Sequence, residues 1–313
     1  MHFTFAIDPN ILTTWQSYSY VVQDCGVPHG RLIADYPNRW RKMVSEAAKA
    51  CAQRTELDYT RIEYHLQHEV PAKLVTRNGA YNHQNNDWLA QAESEHAKNA
   101  FRAIVSSTNP RSVARVLKIS ALDKENDPYW QVEPYMRAER EPTVLASAAR
   151  FLFAISKKVK FVDPNFGLEA LRFRISLNAF LSTIRAANSG LVEVEYHFRQ
   201  KSAAEFFAEQ LKKPPVSQPL NVPRGMRVRF VRWKQLPGGD DLHPRYLLTD
   251  RGGMTYDVGL DAGKAGEKTK IYRMSEQDRE ETWNQYETNP KDTLGRPCPT
   301  CFEFVDDFTT VGN

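Results

Sequence analysis

Two β-rich runs, KVKFVD at 158–163 and LVEVEYHF at 191–198, are separated by the long segment GLEALRFRISLNAFLSTI at 167–184. Within that segment Phe173, Leu177, Phe180, Leu181 and Ile184 recur at the three-and-four spacing of one helix face. A helix between two strands is a crossover rather than a hairpin turn, so the strands are predicted to lie parallel in one sheet. The alternation extends to both sides. ASAARFLFAIS at 146–156 is an apolar helix ahead of the first run. Ser202 to Glu205 has the spacing of a capping box, opening a helix that holds Phe206, Phe207 and Leu211. MRVRFVRW at 226–233 is a strand with Met226, Val228 and Phe230 opposite Arg227 and Arg229. RYLLTD, a Gly252-Gly253 turn and MTYDVGLD then read as a hairpin. The sum is an α/β domain whose largely parallel sheet accepts antiparallel strands at its end.

The N-terminal part reads as mostly helical. Pro37 suits the first turn of a helix in which Trp40, Met43, Val44, Ala47, Ala48 and Cys51 face a core and Arg39, Arg41 and Lys42 face solvent. A second helical run carries Ile62, Leu66 and Val70, and a third carries Trp88, Leu89, Ala92, Phe101, Ile104 and Val105. VARVLKISAL at 113–122 fits strand or helix. The expected organisation is a mainly helical domain over 1–140 that makes protein contacts, an α/β domain over 141–290, and a C-terminal tail over 291–313.

The chain of 313 residues has 42 basic and 38 acidic side chains, a formal charge of +4. Such a balance permits a polyanionic partner, which a local site must then hold. An apolar fraction of 41% argues against wholesale disorder. No stretch approaches the ~18 apolar residues of a membrane span, and MHFTFAIDPN lacks the pattern of a signal peptide. Four cysteines make no disulfide framework in a chain of this length, so the expected compartment is the cytoplasm. Cys298 and Cys301 supply half of a zinc site and read as a turn; neither metal nor cofactor is expected.

Residues 243–250 carry the chemistry: His243-Pro-Arg245-Tyr-Leu-Leu-Thr-Asp250. On a strand, His243 and Arg245 project to one face. An imidazole beside a guanidinium can engage a phosphate, the nitrogen attacking or donating a proton while the guanidinium grips two oxygens. Asp250 is placed to orient the imidazole. Asp163 ends a strand, where α/β sheets form ligand crevices, and Arg251 adds a cation beside Asp250. The strand residues Arg227, Arg229, Arg232 and Lys234, interleaved with Trp233, have the composition of a surface that tracks a nucleic-acid backbone and stacks a base.

This run resembles the H-x-K-x-x-x-x-D motif of the phospholipase D superfamily, with arginine where the family has lysine. The strand–helix order around it is also similar, from FVDPNF through the motif strand to Gly259-Leu260-Asp261. The likeness spans about 145 residues and implies a mixed sheet flanked by helices. Family enzymes place serine and asparagine after that glycine; here Leu260 and Asp261 stand there, and Asp261 would have to pair with Arg245 or Arg251. The variant is more similar to the non-catalytic phospholipase D-like domain at the C-terminus of MIT-domain proteins.

The resemblance implies two functions of different class. One is a phosphate- and nucleic-acid-binding subunit of a bacterial antiviral defence or DNA-processing assembly. The other is a metal-independent phosphodiesterase, a nuclease acting through a phosphohistidine, with His243, Arg245 and Asp250 catalytic and a homodimer completing the site. A third reading is a scaffold subunit.

Overall fold

The computed structural model describes residues 1–85, 87–212, 219–235, 244–287 and 302–312, and the chain divides into two compact units, Met1–Pro134 and Tyr135–Asn313. The boundary falls a few residues before the expected one, so that 135–140 belong to the second unit.

The first unit is not mainly helical. It is an α/β unit around a parallel sheet of β1 (Phe3–Ile7), β2 (Arg31–Asp35), β3 (Leu74–Thr76), β4 (Ala103–Ser106) and β5 (Val116–Lys118), in the order β3-β2-β1-β4-β5. Its helices are α1 (Trp15–Val22), α2 (Trp40–Ala50), α3 (Glu56–His68) and α4 (Trp88–Lys98). The central strands are apolar on both faces, with Phe5, Ala6 and Ile7 fully buried, so they lack the alternation that marks a half-exposed strand. Strand β4 takes Ile104 and Val105, which helical spacing had attached to α4, and β5 resolves the ambiguous 113–122 segment. Helix α2 starts at Trp40, whose amide donates to the Asp35 carboxylate at 2.9 Å; Pro37 lies ahead of it in the turn. Thr55 and Asp58 form the capping box of α3.

The second unit holds β6 (Tyr135–Glu139), α5 (Pro142–Ala148), α6 (Arg150–Ile155), β7 (Val159–Val162), α7 (Leu171–Ala187), β8 (Glu193–Arg199), α8 (Ala204–Lys212), β9 (Arg227–Gln235), β10 (Tyr246–Thr249), β11 (Gly253–Tyr256), β12 (Lys268–Arg273), α9 (Glu276–Gln285) and β13 (Phe302–Val311). These strands make one eight-stranded mixed sheet, β13-β9-β8-β7-β10-β11-β12-β6. As the crossover helices require, β7, β8 and β9 are parallel, and β10 and β11 form the hairpin. The stripe Phe173, Leu177, Phe180, Leu181 and Ile184 is buried along α7. It packs where Phe161, Phe166, Tyr196 and Phe230 bring their rings together. The expected tail is part of the sheet: β13 pairs antiparallel with β9 from Phe302 to Val311. Cys298 and Cys301 lie outside the described residues.

Candidate functional site

The carboxyl ends of parallel strands present backbone and side chains to a crevice, and β7 ends there in Asp163. Antiparallel β10 pairs Tyr246 with Val162, which sets Arg245 opposite Asp163 one step further on. Cross-strand partners share a face of the sheet, so register alone brings a guanidinium beside a carboxyl. Together with Arg140, Asn165, Arg172, Phe173, Val258 and Asp261 they line a cleft of about 200 Å³.

Each wall of the cleft has a local cause. Asp163 starts a turn in which its Oδ1 accepts the Asn165 amide at 2.9 Å, while its Oδ2 accepts the Leu260 amide at 3.2 Å. Arg172 lies in the first turn of α7, whose N-cap, Ala170, gives no side-chain bond to the helix amides. Those amides and the helix dipole favour negative charge nearby. Arg140 follows β6 and forks between Asp261 at 2.7 Å and Glu267 at 2.8 Å. Asp261 is also paired with Arg172 at 3.1 Å. The loop that carries Asp261 turns at Gly259, whose φ of 151° suits glycine; a Cβ there would run into the Asp261 carboxylate.

The electrostatics of the cleft are unequal. Three guanidiniums face two carboxyls, and Asp261 is committed to Arg140 and Arg172. Arg245 has no ion pair with Asp163, and its buried Nε bonds to none of the described residues. The Arg140 Nε is likewise buried without such a partner. Asp163 is 1% exposed, and burial pushes its carboxyl above the usual range. The two amide bonds and the charge of Arg245 work against that rise, and Asp261 adds to it.

Of the residues singled out in the sequence, Arg245 and Asp163 meet in this cleft, and His243 lies outside the described residues. Asp250 is at the other end of β10, where it accepts the Lys157 and Lys158 amides at 2.7 and 3.1 Å; it caps the start of β7 and stands behind neither Arg245 nor the cleft. Arg251 pairs with Asp250 at 3.5 Å and goes with it. Asp261 pairs with Arg140 and Arg172 instead of Arg245 or Arg251, although it lines the same cleft as Arg245.

The basic face expected on β9 is neutralised. Arg227 is held by Glu193, Arg229 by Glu195 and Asp307, Arg232 by Asp306, and Lys234 lies 3.9 Å from Glu303. Trp233 is 1% exposed and donates its indole N–H to His197 Nδ1 at 3.0 Å, so it offers no face to a base. The physical reason is that β9 lies between two acidic strands: Glu193 and Glu195 of β8 on one side, and residues 303, 306 and 307 of β13 on the edge that sequence alone left open.

Arg140 was not apparent in the sequence, since it falls at an expected domain boundary. In the first unit, Asp8 and Ser106 end the neighbouring strands β1 and β4, the point at which the strand order reverses, and lie 3.4 Å apart. Asp8 is buried and satisfied there by the amide and side chain of Asn10.

No family model matches the chain, and no curated protein matches it. Among solved structures, TrmBL2, described as an archaeal chromatin protein with a novel mode of DNA binding, is similar at 12% identity and a TM-score of 0.27. The match takes in 54% of this chain and 56% of that one. A likeness of that size transfers neither fold nor function.

Proposed function

We propose that the second unit is a phospholipase D-like module that holds a phosphate group of nucleic acid in the Arg245 cleft, as a binding subunit of a larger assembly. The observation that carries the reading is the Arg245 guanidinium. It lines a polar cleft with two further arginines, and its buried Nε bonds to none of the described residues. An uncompensated buried donor costs about 1–3 kcal/mol, which an anionic oxygen would recover. The order of strands and crossover helices around β10, and the glycine turn after it, also support the likeness.

Because the arginines of β9 are already paired, contact with the ligand is confined to one or two phosphates. The salt dependence of binding is then shallow, with a slope in log K against log salt of about −1 to −2. The experiment is a salt titration of labelled single- and double-stranded DNA and RNA in EDTA, with wild type, Arg245→Ala and His243→Ala. The module reading expects binding without cleavage, lost in Arg245→Ala. Cleavage by wild type that vanishes in His243→Ala would replace it with the phosphodiesterase. Undiminished binding by folded Arg245→Ala, or a slope steeper than about −4, would place the ligand elsewhere.

A further inference from the structure

An arginine cluster alone accepts any anion, but this cleft has a second functional element. Asp163 lines it, is 1% exposed, and sits beside Arg245 without pairing to it. Each of its oxygens accepts one backbone amide, which leaves a lone pair on each for a further donor. An anion drawn in by Arg245 is therefore met by an acceptor as well as by donors.

That combination discriminates between ligands. A sulfate or an internal phosphodiester has only acceptor oxygens. Against Asp163 it sets lone pair against lone pair, or obliges the carboxyl to take a proton from water. A phosphomonoester has a second ionisation near pH 6 and so carries a hydrogen of its own close to neutrality. It can offer an anionic oxygen to Arg245 and its P–OH to Asp163 at once. Granting that the cleft binds phosphate, we propose that it selects a monoester over a diester, so that the nucleic-acid group it reads is a terminal phosphate and not the internal backbone. The upward push of burial on the Asp163 carboxyl fits the same arrangement, since it favours keeping a shared proton in the complex.

The test is calorimetry near pH 6.5 with inorganic phosphate, sulfate, a 5′-mononucleotide, and one short oligonucleotide prepared with and without a 5′-phosphate. Wild type is expected to bind phosphate about tenfold or more tightly than sulfate, and the phosphorylated oligonucleotide by a like factor over its hydroxyl counterpart. Binding of the mononucleotide but of neither oligonucleotide would assign the site to free phosphomonoesters and overturn the nucleic-acid end. Asp163→Asn presents an amide N–H where a lone pair stood, so it is expected to bind sulfate as well as phosphate. Equal binding of phosphate and sulfate by wild type would overturn the selection while leaving the anion site intact. Absence of binding to any of these anions by the folded protein would overturn both.

Discussion

Arg232, whose side chain is 1% exposed, closes a two-pronged fork on Asp306, a residue seventy-four positions further along the chain. Its remaining Nη1 donates to the Ser202 carbonyl at 2.8 Å, at the approach to α8. One buried guanidinium thus ties β13, β9 and the α8 approach together. Phe207 and Phe308 pack against it.

Removing the carboxylate strands that charge. A broken buried pair costs about 3–5 kcal/mol, and the 29% exposure of Asp306 lowers the expectation for Asp306→Ala to about 2–3 kcal/mol. Urea denaturation measures it. A loss under about 0.5 kcal/mol would mean that β13 contributes little to the sheet. Arg232→Met, which replaces the pair with apolar volume, is expected to cost less than Asp306→Ala.

Acid sensitivity follows from the opposite face of β8 and β9. Trp233 donates to His197 Nδ1, which fixes the ring proton on Nε2, bonded to Glu195 at 3.2 Å. Burial holds His197 below its ordinary 6.5, against the favourable pull of Glu195 and with the repulsion of Lys160 and Arg229. The unfolded chain then binds a proton that the native protein refuses, so stability falls as pH drops through about 6.5, by up to about 1.4 kcal/mol per unit. Glu195 behaves oppositely in sign. Burial opposes its charge, but bonds from His197 and Arg229 and the nearby Lys160 bring it down to about 2. The stability it adds is present above about 4.5 and disappears as pH falls towards 2. Urea midpoints compared at about pH 7.5 and 5.5 should drop for wild type and change less in His197→Gln. An NMR titration that finds His197 half-protonated at 6.5 or above would refute the account.

How much of this was legible in the sequence depends on which contacts are local. The middle of the second unit, from β7 to β9, follows from period-two and period-3.6 patterning and its hairpin from the two glycines, whereas β6, β12 and β13, which complete the sheet, were not read from the sequence. Strand β1 was invisible because a parallel strand buried on both faces has no alternation to read. The β9 surface differs from its sequence reading for another reason: Arg227 and Arg229 do alternate as on an open strand, and only pairing with the distant strands β8 and β13 supplies the acids that neutralise the basic residues. In the cleft, Arg245 and Asp163 were identifiable from strand ends. Arg140, over a hundred residues from Asp261, was not, since nothing local in the chain records that pair.

Asp250 separates the motif's appearance from its geometry. Its carboxylate caps two amides at the start of β7, at the end of β10 remote from Arg245. Asp250→Ala should therefore cost about 1 kcal/mol in stability, the worth of two bonds from exposed amides to a carboxylate, with anion affinity unchanged. A loss of phosphate affinity beyond about threefold, at temperatures where the variant stays folded, would restore it to the site.

Asp261 gives the sharpest handle on the cleft, because it holds Arg140 and Arg172 away from any ligand. Asp261→Asn keeps the size of the side chain and removes the charge that neutralises them. Arg172 is then freed towards the cleft while Arg140 keeps Glu267, and phosphate affinity is expected to rise, by about fivefold for about 1 kcal/mol of recovered charge-assisted bonding. Stability moves the other way, since both arginines lose a partner while 10% or less of the carboxylate is open to water. Gly259→Ala perturbs the same carboxylate through the backbone: its φ of 151° disfavours alanine, and the added Cβ collides with Asp261. If the cleft binds anions as argued, the first substitution tightens phosphate while destabilising the fold, and the second destabilises the fold without that gain. Calorimetry and thermal unfolding on both variants read the two effects separately, and equal changes in affinity for the two would show that the Asp261 charge does not gate the site.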